Sequence, residues 1–299
     1  MTSKSPMFSQ HSRPLAFGHR GVPEEHQENT MAGFKRAIEL GLDGVELDVF
    51  LTKDKKLVVF HDIETERLTG FTGRIPDMTW DEIKDLEIAS SINVGDKVID
   101  YGKKEKIILL EDALEEMRGK LIVDIEIKAY GIDFGQRHTG TELAKLIKRM
   151  NLFEDVFVTS FNFFPLRWLE WTCPGIESGF TYSPQSVKKS GFLHKVMESS
   201  FIGKLVGSTL TNMSVNMFDD DTVQQVHEKG LAIGAWTLFS QDSKWLGVWL
   251  SDEEQIEYIK RFSNEGIDYF ITDDPVRLKR ILEKEDETVS SPTPTAEPC

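Results

Sequence analysis

The chain has 299 residues, 35 of them basic and 50 acidic, for a formal charge of −15. That excess argues against nucleic-acid binding, which needs clustered Lys and Arg. The length suits one (β/α) barrel domain, and 19 Phe with 6 Trp exclude a disordered or fibrous chain.

Residues 1–13 are polar, without a signal-like apolar stretch, and are expected to form a flexible leader. From residue 14 the chain repeats a short apolar strand, a turn and an amphipathic helix. Leu15–Phe17 opens the first strand, Thr30–Leu40 is the first helix, and Gly44–Leu51 is the second strand with an extension at Leu57–Phe60. Residues 63–107 break the alternation and read as a small insertion with one helical piece, Trp80–Leu86. The series resumes with strands at Leu121–Ile127, Val156–Ser160, Gly179–Tyr182, Met213–Val215, Leu231–Trp236 and Ile267–Thr272. Helices are expected over Thr141–Met150, around Phe164–Trp168, and from near Asp219, Asp252 and Asp274. Residues 239–251 form a long loop with Trp245 and Trp249, and residues 286–299 read as a disordered Ser/Thr/Pro/Glu tail.

About eight strand–helix units predict a TIM (β/α)₈ barrel over residues 14–285, with an open doubly wound sheet as the alternative. No run of about 18 apolar residues is present, so no transmembrane segment is expected. Two cysteines, Cys173 and Cys299, make no disulfide framework and suit a reducing, cytoplasmic setting.

Barrel chemistry collects at the C-terminal ends of the strands. Glu46 and Asp48 are two apart on one strand and share a face, whereas Val45, Leu47 and Val49 point toward the helices. Glu126 and Lys128 repeat that spacing on the next strand. Buried carboxylates need compensation, and three converging oxygen ligands suit a hard divalent cation, Mg²⁺ or Ca²⁺. The blander readings are surface carboxylates, or Glu126–Lys128 as a simple ion pair. His19 and His61 end neighbouring strands and suit acid–base work, unless each is a satisfied structural histidine. Arg20 and Lys128 bring positive charge suited to a phosphoryl group. Together these residues point to metal-assisted phosphodiester chemistry.

The motifs His19-Arg20-Gly21, Glu28-Asn29-Thr30, Glu46-Leu47-Asp48, His61-Asp62, Ile125-Glu126-Ile127-Lys128, Ser160-Phe161, Trp236-Thr237, Gly266-Ile267-Asp268 and Ile271-Thr272-Asp273-Asp274-Pro275 follow in order. This series resembles the glycerophosphodiester phosphodiesterase family over residues 15 to about 283. The resemblance implies hydrolysis of glycerophosphodiesters to sn-glycerol 3-phosphate and an alcohol through a cyclic phosphate. It further implies one divalent cation on Glu46, Asp48 and Glu126, with His19 and His61 as acid and base. Arg20 and Lys128 would contact phosphate, Glu28 and Asn29 shape the site floor, and Phe161 and Trp236 wall the glycerol side. Gln27 replaces the family's usual Pro, and Leu238-Phe239 replaces a small residue and Asn. The Trp-bearing loop could therefore admit a lysophospholipid chain, as in a lysophospholipase D, or pack against a helix. The alternatives are a lyase that stops at the cyclic phosphate and, in a different class, a non-catalytic phosphate-binding barrel, whose mark would be loss of His19, His61 or a metal carboxylate; none is missing here. His26, His138, His194 and His227 have no assigned role, and oligomeric state is not readable from the chain.

Overall fold

The computed structural model describes residues 5–94, 97–128, 137–183, 207–241 and 250–290. Eight parallel strands close on themselves: β1 Leu15–His19, β2 Gly44–Leu51, β3 Ile122–Ile127, β4 Val156–Ser160, β5 Ser178–Tyr182, β6 Leu210–Ser214, β7 Ala232–Leu238 and β8 Tyr269–Thr272. They pair in chain order, and β1 completes the ring by pairing with both β2 and β8. The expected TIM barrel is therefore present, and the open sheet is excluded by the β1–β8 seam.

Helices cover the outside. α1 is Pro6–Ser9, α2 Met31–Glu39, α3 Leu110–Met117, α4 Arg137–Met150, α5 Phe163–Thr172, α6 Thr222–Glu228, α7 Asp252–Glu265 and α8 Pro275–Ser290. Local chemistry sets their ends. Thr30 caps α2 by accepting from the Gly33 N–H, and Ser251 with Glu254 forms a reciprocal box at the start of α7. α7 stops at Gly266, whose φ of 88° is open to glycine at little strain. Val45, Leu47 and Val49 of β2 lie in the apolar layer between strands and helices, so Glu46 and Asp48 face the barrel interior.

Five expectations need correction. The leader is not free over its described part: α1 buries Met7 and Phe8 beneath the barrel, where Phe8 stacks on Tyr269 at 5.1 Å. These two apolar side chains outweigh the polar composition around them. α3 lies where no helix is expected, because Glu111, Asp112, Glu115 and Glu116 mask the stripe of Leu110, Ala113, Leu114 and Met117 that packs inward. β6 begins at Leu210, earlier than Met213, because Thr211 and Asn212 are polar residues in a buried strand. α8 continues to Ser290, past the expected start of the tail; residues 291–299 lie outside the described residues.

Among its described residues the insertion carries three short helical turns, Glu66–Thr69, Ile75–Asp77 and Trp80–Ile83, rather than one, plus small antiparallel strand pairs. It has its own apolar cluster, including Leu68, Ile75, Ile83, Ile88 and Ile92, joined to the barrel through Phe50, Val58 and Phe60. Among the described residues no helix is long and apolar enough to cross a membrane.

Candidate active site

The site sits at the C-terminal mouth of the barrel, where the inward positions of β1, β3 and β8, apolar at the floor, give way to polar residues. β1 ends in His19 and turns sharply: Arg20 has φ 56° and Gly21 φ 101°. The left-handed Arg20 is held open by the fold-back of its loop, as the Asn29 N–H donates to the Arg20 carbonyl at 3.0 Å. Asn29 also has positive φ, 58°, and its amide clamps Asp48 from both sides. Its Nδ2 donates to Asp48 Oδ2 at 2.7 Å, and its Oδ1 accepts from the Asp48 N–H at 3.1 Å. Arg20 donates to Glu28 at 2.9 Å through its guanidinium and to Glu46 Oε2 at 3.1 Å through its backbone N–H, and its Nε lies 3.3 Å from Asp48.

Glu46, Asp48 and Glu126 bring one carboxylate oxygen each within 4.8 Å of one another. Lys128 Nζ lies 2.9 Å from Asp48 Oδ1 and 2.6 Å from Glu126 Oε1. Electrostatics divide the three. Burial, then the charges of Asp48 and Glu126, push the Glu46 carboxyl well above the ordinary range. Burial raises Glu126 too, against the pull of Lys128. For Asp48 burial also acts upward, but Lys128, His61 and Arg20 outweigh it and hold the carboxyl below the ordinary range. Lys128 is the mirror case: desolvation is outweighed by Asp48 and Glu126, so its ammonium is held more firmly than usual. Among the described residues Glu46 Oε1 is buried with no hydrogen-bond partner. An orphaned carboxylate oxygen beside two more carboxylates is what an oxygen-liganded divalent cation would satisfy, so the set fits one.

Both histidines are backed by carboxylates. His19 Nδ1 lies 2.6 Å from Asp273 Oδ1, and His61 Nδ1 lies 2.6 Å from Asp62 Oδ1. A carboxylate on Nδ1 fixes the tautomer with Nδ1–H donating, which leaves Nε2 for other partners. His19 Nε2 is 3.9 Å from Glu46 Oε2. Burial first, then Arg20 and Lys128, lower His61 to about 4, so its ring is neutral near pH 7.

Arg20, Glu28, Asn29, Glu46, Asp48, Glu126 and Lys128 thus form one contact network, with His19 at its edge. His61 joins it through residues to which the sequence alone assigns no role. Arg67 of the insertion donates to Asp62 and makes a two-pronged contact with Glu28 at 2.9 and 2.7 Å. Burial would raise Glu28, but Arg20 and Arg67 bring it down to about 2. Asp273, Asp62 and Arg67 are the missed members. The first two belong to motifs whose pattern is visible in the chain, whereas nothing local distinguishes Arg67 from a surface arginine. Phe161 and Trp236 meet edge to face, 5.5 Å between centroids, at the ends of β4 and β7. Ser160 positions the first of them by donating from Oγ to the Ile127 carbonyl at 2.8 Å. Of the long Trp-bearing loop, residues 242–249 lie outside the described residues, as does His194.

Comparison with known proteins agrees with this geometry. The chain is 33% identical over 275 residues to a glycerophosphodiester phosphodiesterase of Caldanaerobacter subterraneus subsp. tengcongensis, covering 91% of this chain and 99% of that one. A glycerophosphoryl diester phosphodiesterase structure from Silicibacter pomeroyi superposes with a TM-score of 0.74 at 19% identity, over 92% of this chain and 95% of that one. An Oleispira antarctica phosphodiesterase solved with its product sn-glycerol-3-phosphate shares the fold, with a TM-score of 0.68 at 21% identity, over 91% and 97% of the two chains. The profile of the glycerophosphoryl diester phosphodiesterase family matches residues 19–277. That span holds all the residues gathered at the barrel mouth, and the chain belongs to the glycerophosphoryl diester phosphodiesterase family.

Proposed function

We propose that this protein hydrolyses glycerophosphodiesters to sn-glycerol 3-phosphate and an alcohol, with Glu46, Asp48 and Glu126 holding one Mg²⁺ or Ca²⁺. One observation carries the reading: two buried carboxylates, Glu46 and Asp48, and the partly buried Glu126 converge within 4.8 Å at a mouth that also holds two carboxylate-backed imidazoles. When bound, the cation supplies Lewis acidity, neutralising phosphate charge and making a nearby hydroxyl more acidic.

The chain's own groups do the rest. Arg20 and Lys128 hold the phosphate by charge and by directed N–H donors, and Glu28 and Asn29 keep Arg20 and Asp48 in place. Phe161 and Trp236 form an apolar wall beside the glycerol. One imidazole takes the proton of the glycerol 2-hydroxyl as that oxygen attacks phosphorus; His61, neutral near pH 7, suits this step. The other imidazole, His19, gives a proton to the departing alcohol oxygen as its bond to phosphorus breaks. Water then attacks the cyclic phosphate with the two roles exchanged, and the bond to the 2-oxygen breaks to leave sn-glycerol 3-phosphate. A nucleophile tethered within the substrate gains a large effective molarity. A cytoplasmic setting fits the buried free thiol of Cys173.

The test is an assay of metal-stripped protein on glycerophosphocholine, glycerophosphoethanolamine, glycerophosphoinositol and lysophosphatidylcholine, with Mg²⁺ or Ca²⁺ restored. Release of glycerol 3-phosphate that needs added cation is expected. Release of lysophosphatidate alone would move the reading to a lysophospholipase D, and no product from any substrate would overturn it.

A further inference from the structure

The insertion is usually the least constrained part of a barrel, yet here it sends one charged side chain into the polar network at the mouth. Arg67 lies on the helical turn Glu66–Thr69. That turn is fixed on both sides. Leu68 is fully buried in the insertion's apolar cluster, Thr65 N–H donates to the Gly73 carbonyl at 2.9 Å, and Thr69 Oγ1 donates to the Thr65 carbonyl at 2.8 Å. The guanidinium is therefore delivered from a rigid support.

Its three N–H directions go to two carboxylates on different elements. NH1 and NH2 meet the two oxygens of Glu28, on the loop after β1, and Nε meets Asp62 Oδ2, after the β2 extension. Each carboxylate has a second commitment. Asp62 Oδ1 accepts from His61, and Glu28 Oε1 accepts from Arg20. We infer that Arg67 is a positioning residue for the reaction: it locks Asp62, and through it the His61 ring, in fixed register with the Arg20–Glu28 pair. The inference rests on the proposed function for the identity of the reaction, though not for the geometry.

A purely structural role, stapling the insertion to the barrel, is the competing account. The insertion already has other ties. Gln27 Nε2 donates to the carbonyls of Ala89 and Lys103 at 3.2 and 2.6 Å, and Tyr101 Oη donates to the Pro23 carbonyl at 2.7 Å. The shared cluster with Phe50, Val58 and Phe60 adds apolar burial. Docking thus survives without Arg67, whereas the link from Asp62 to Glu28 does not. A lysine could neutralise one carboxylate but lacks the planar fork that spans two.

The experiment uses Arg67→Met and Arg67→Lys in the full-length protein, alone and on an Asp62→Asn background, with thermal melts as the check on folding. On glycerophosphocholine, Arg67→Met is expected to lower kcat by about tenfold to a hundredfold, the usual scale for groups that orient reacting side chains. KM is expected to move by less than about threefold, since Arg20 still meets the phosphate. Arg67→Lys should not restore kcat, and on the Asp62→Asn background Arg67→Met should remove little more, because both changes break one chain of contacts. Nitrogen NMR of the His61 ring gives a reading independent of turnover: the Nδ1–H tautomer dominates in the parent protein and loses dominance in Arg67→Met. A fall in melting temperature with kcat unchanged, full rescue by Lys, additive losses with Asp62→Asn, or an unaltered His61 spectrum would each overturn the inference. If the parent protein turns over no glycerophosphodiester, the proposed function fails, and the NMR comparison still decides the role of Arg67.

Discussion

The two ends of one barrel are built from the same strands and could hardly be less alike. At the floor the inward positions are Leu15, Phe17, Ile122, Phe157, Leu210, Tyr269 and Ile271, with Met7 and Phe8 of α1 closing the layer. Two steps along β1 Phe17 gives way to His19; two and four steps along β3 Ile122 gives way to Asp124 and Glu126; along β8 Ile271 gives way to Asp273. The floor gains from dispersion and water exclusion, as in the edge-on contact of Phe8 and Phe157 at 5.5 Å. The mouth sets carboxylates beside one another at electrostatic cost and recovers part of it through Lys128, Arg20 and Arg67. The floor therefore carries stability and the mouth carries reactivity, and the period of two along each strand lets one segment do both.

This division can be broken by substitution. The largest effect is expected at the mouth: His19→Ala or His61→Ala should lower kcat by ~10²–10⁴ with little change in urea midpoint, the range for acid–base groups. Near-parental turnover in both variants would remove the histidines from the chemistry. At the floor Phe157→Ala should cost about 3–5 kcal/mol in urea unfolding, the range for a fully buried aromatic, while kcat per folded molecule holds. A large loss of kcat in the folded variant would show that the two layers are coupled.

The smallest effect concerns the sign of a pH slope in chelated protein. The folded Glu46 carboxyl lies above its unfolded value of 4.5, so the native state binds more protons. Glu46 then costs no stability below pH 4.5, and its penalty grows as pH rises through and above that value. Glu46→Gln should flatten this slope and stabilise the chelated protein at neutral pH by about 1–3 kcal/mol, the scale of an uncompensated buried polar group. Adding Mg²⁺ or Ca²⁺ should favour the parent protein instead. An identical pH profile in both chelated proteins would mean that neither burial nor the neighbouring carboxylates raise Glu46 in the folded state.

Much of this was legible in the chain. Strands β1 to β5 and β7 to β8 are short apolar runs bounded by turn residues, and Glu46, Asp48, Glu126 and Lys128 stand out because charge at alternate positions interrupts them. What escaped is instructive. α1 was hidden because two apolar residues in a polar leader say nothing about a barrel floor assembled from strands far along the chain. α3 was hidden because four acids cover its outer face. Asp273 and Arg67 were without roles because their partners are set by closure of the ring and by docking of the insertion, both long-range events. Short-range patterning marks the candidate site residues, and long-range contacts choose their partners.

The bond between His19 and Asp273 spans 254 residues and crosses the β1–β8 seam. A growing chain that has emerged as far as seven strands can form most of its helices, yet it lacks the carboxylate that backs His19. That contact arrives with the last strand, as a consequence of ring closure. In refolding, helical signal should therefore lead and activity should trail, separated by the slow search that such distant partners require.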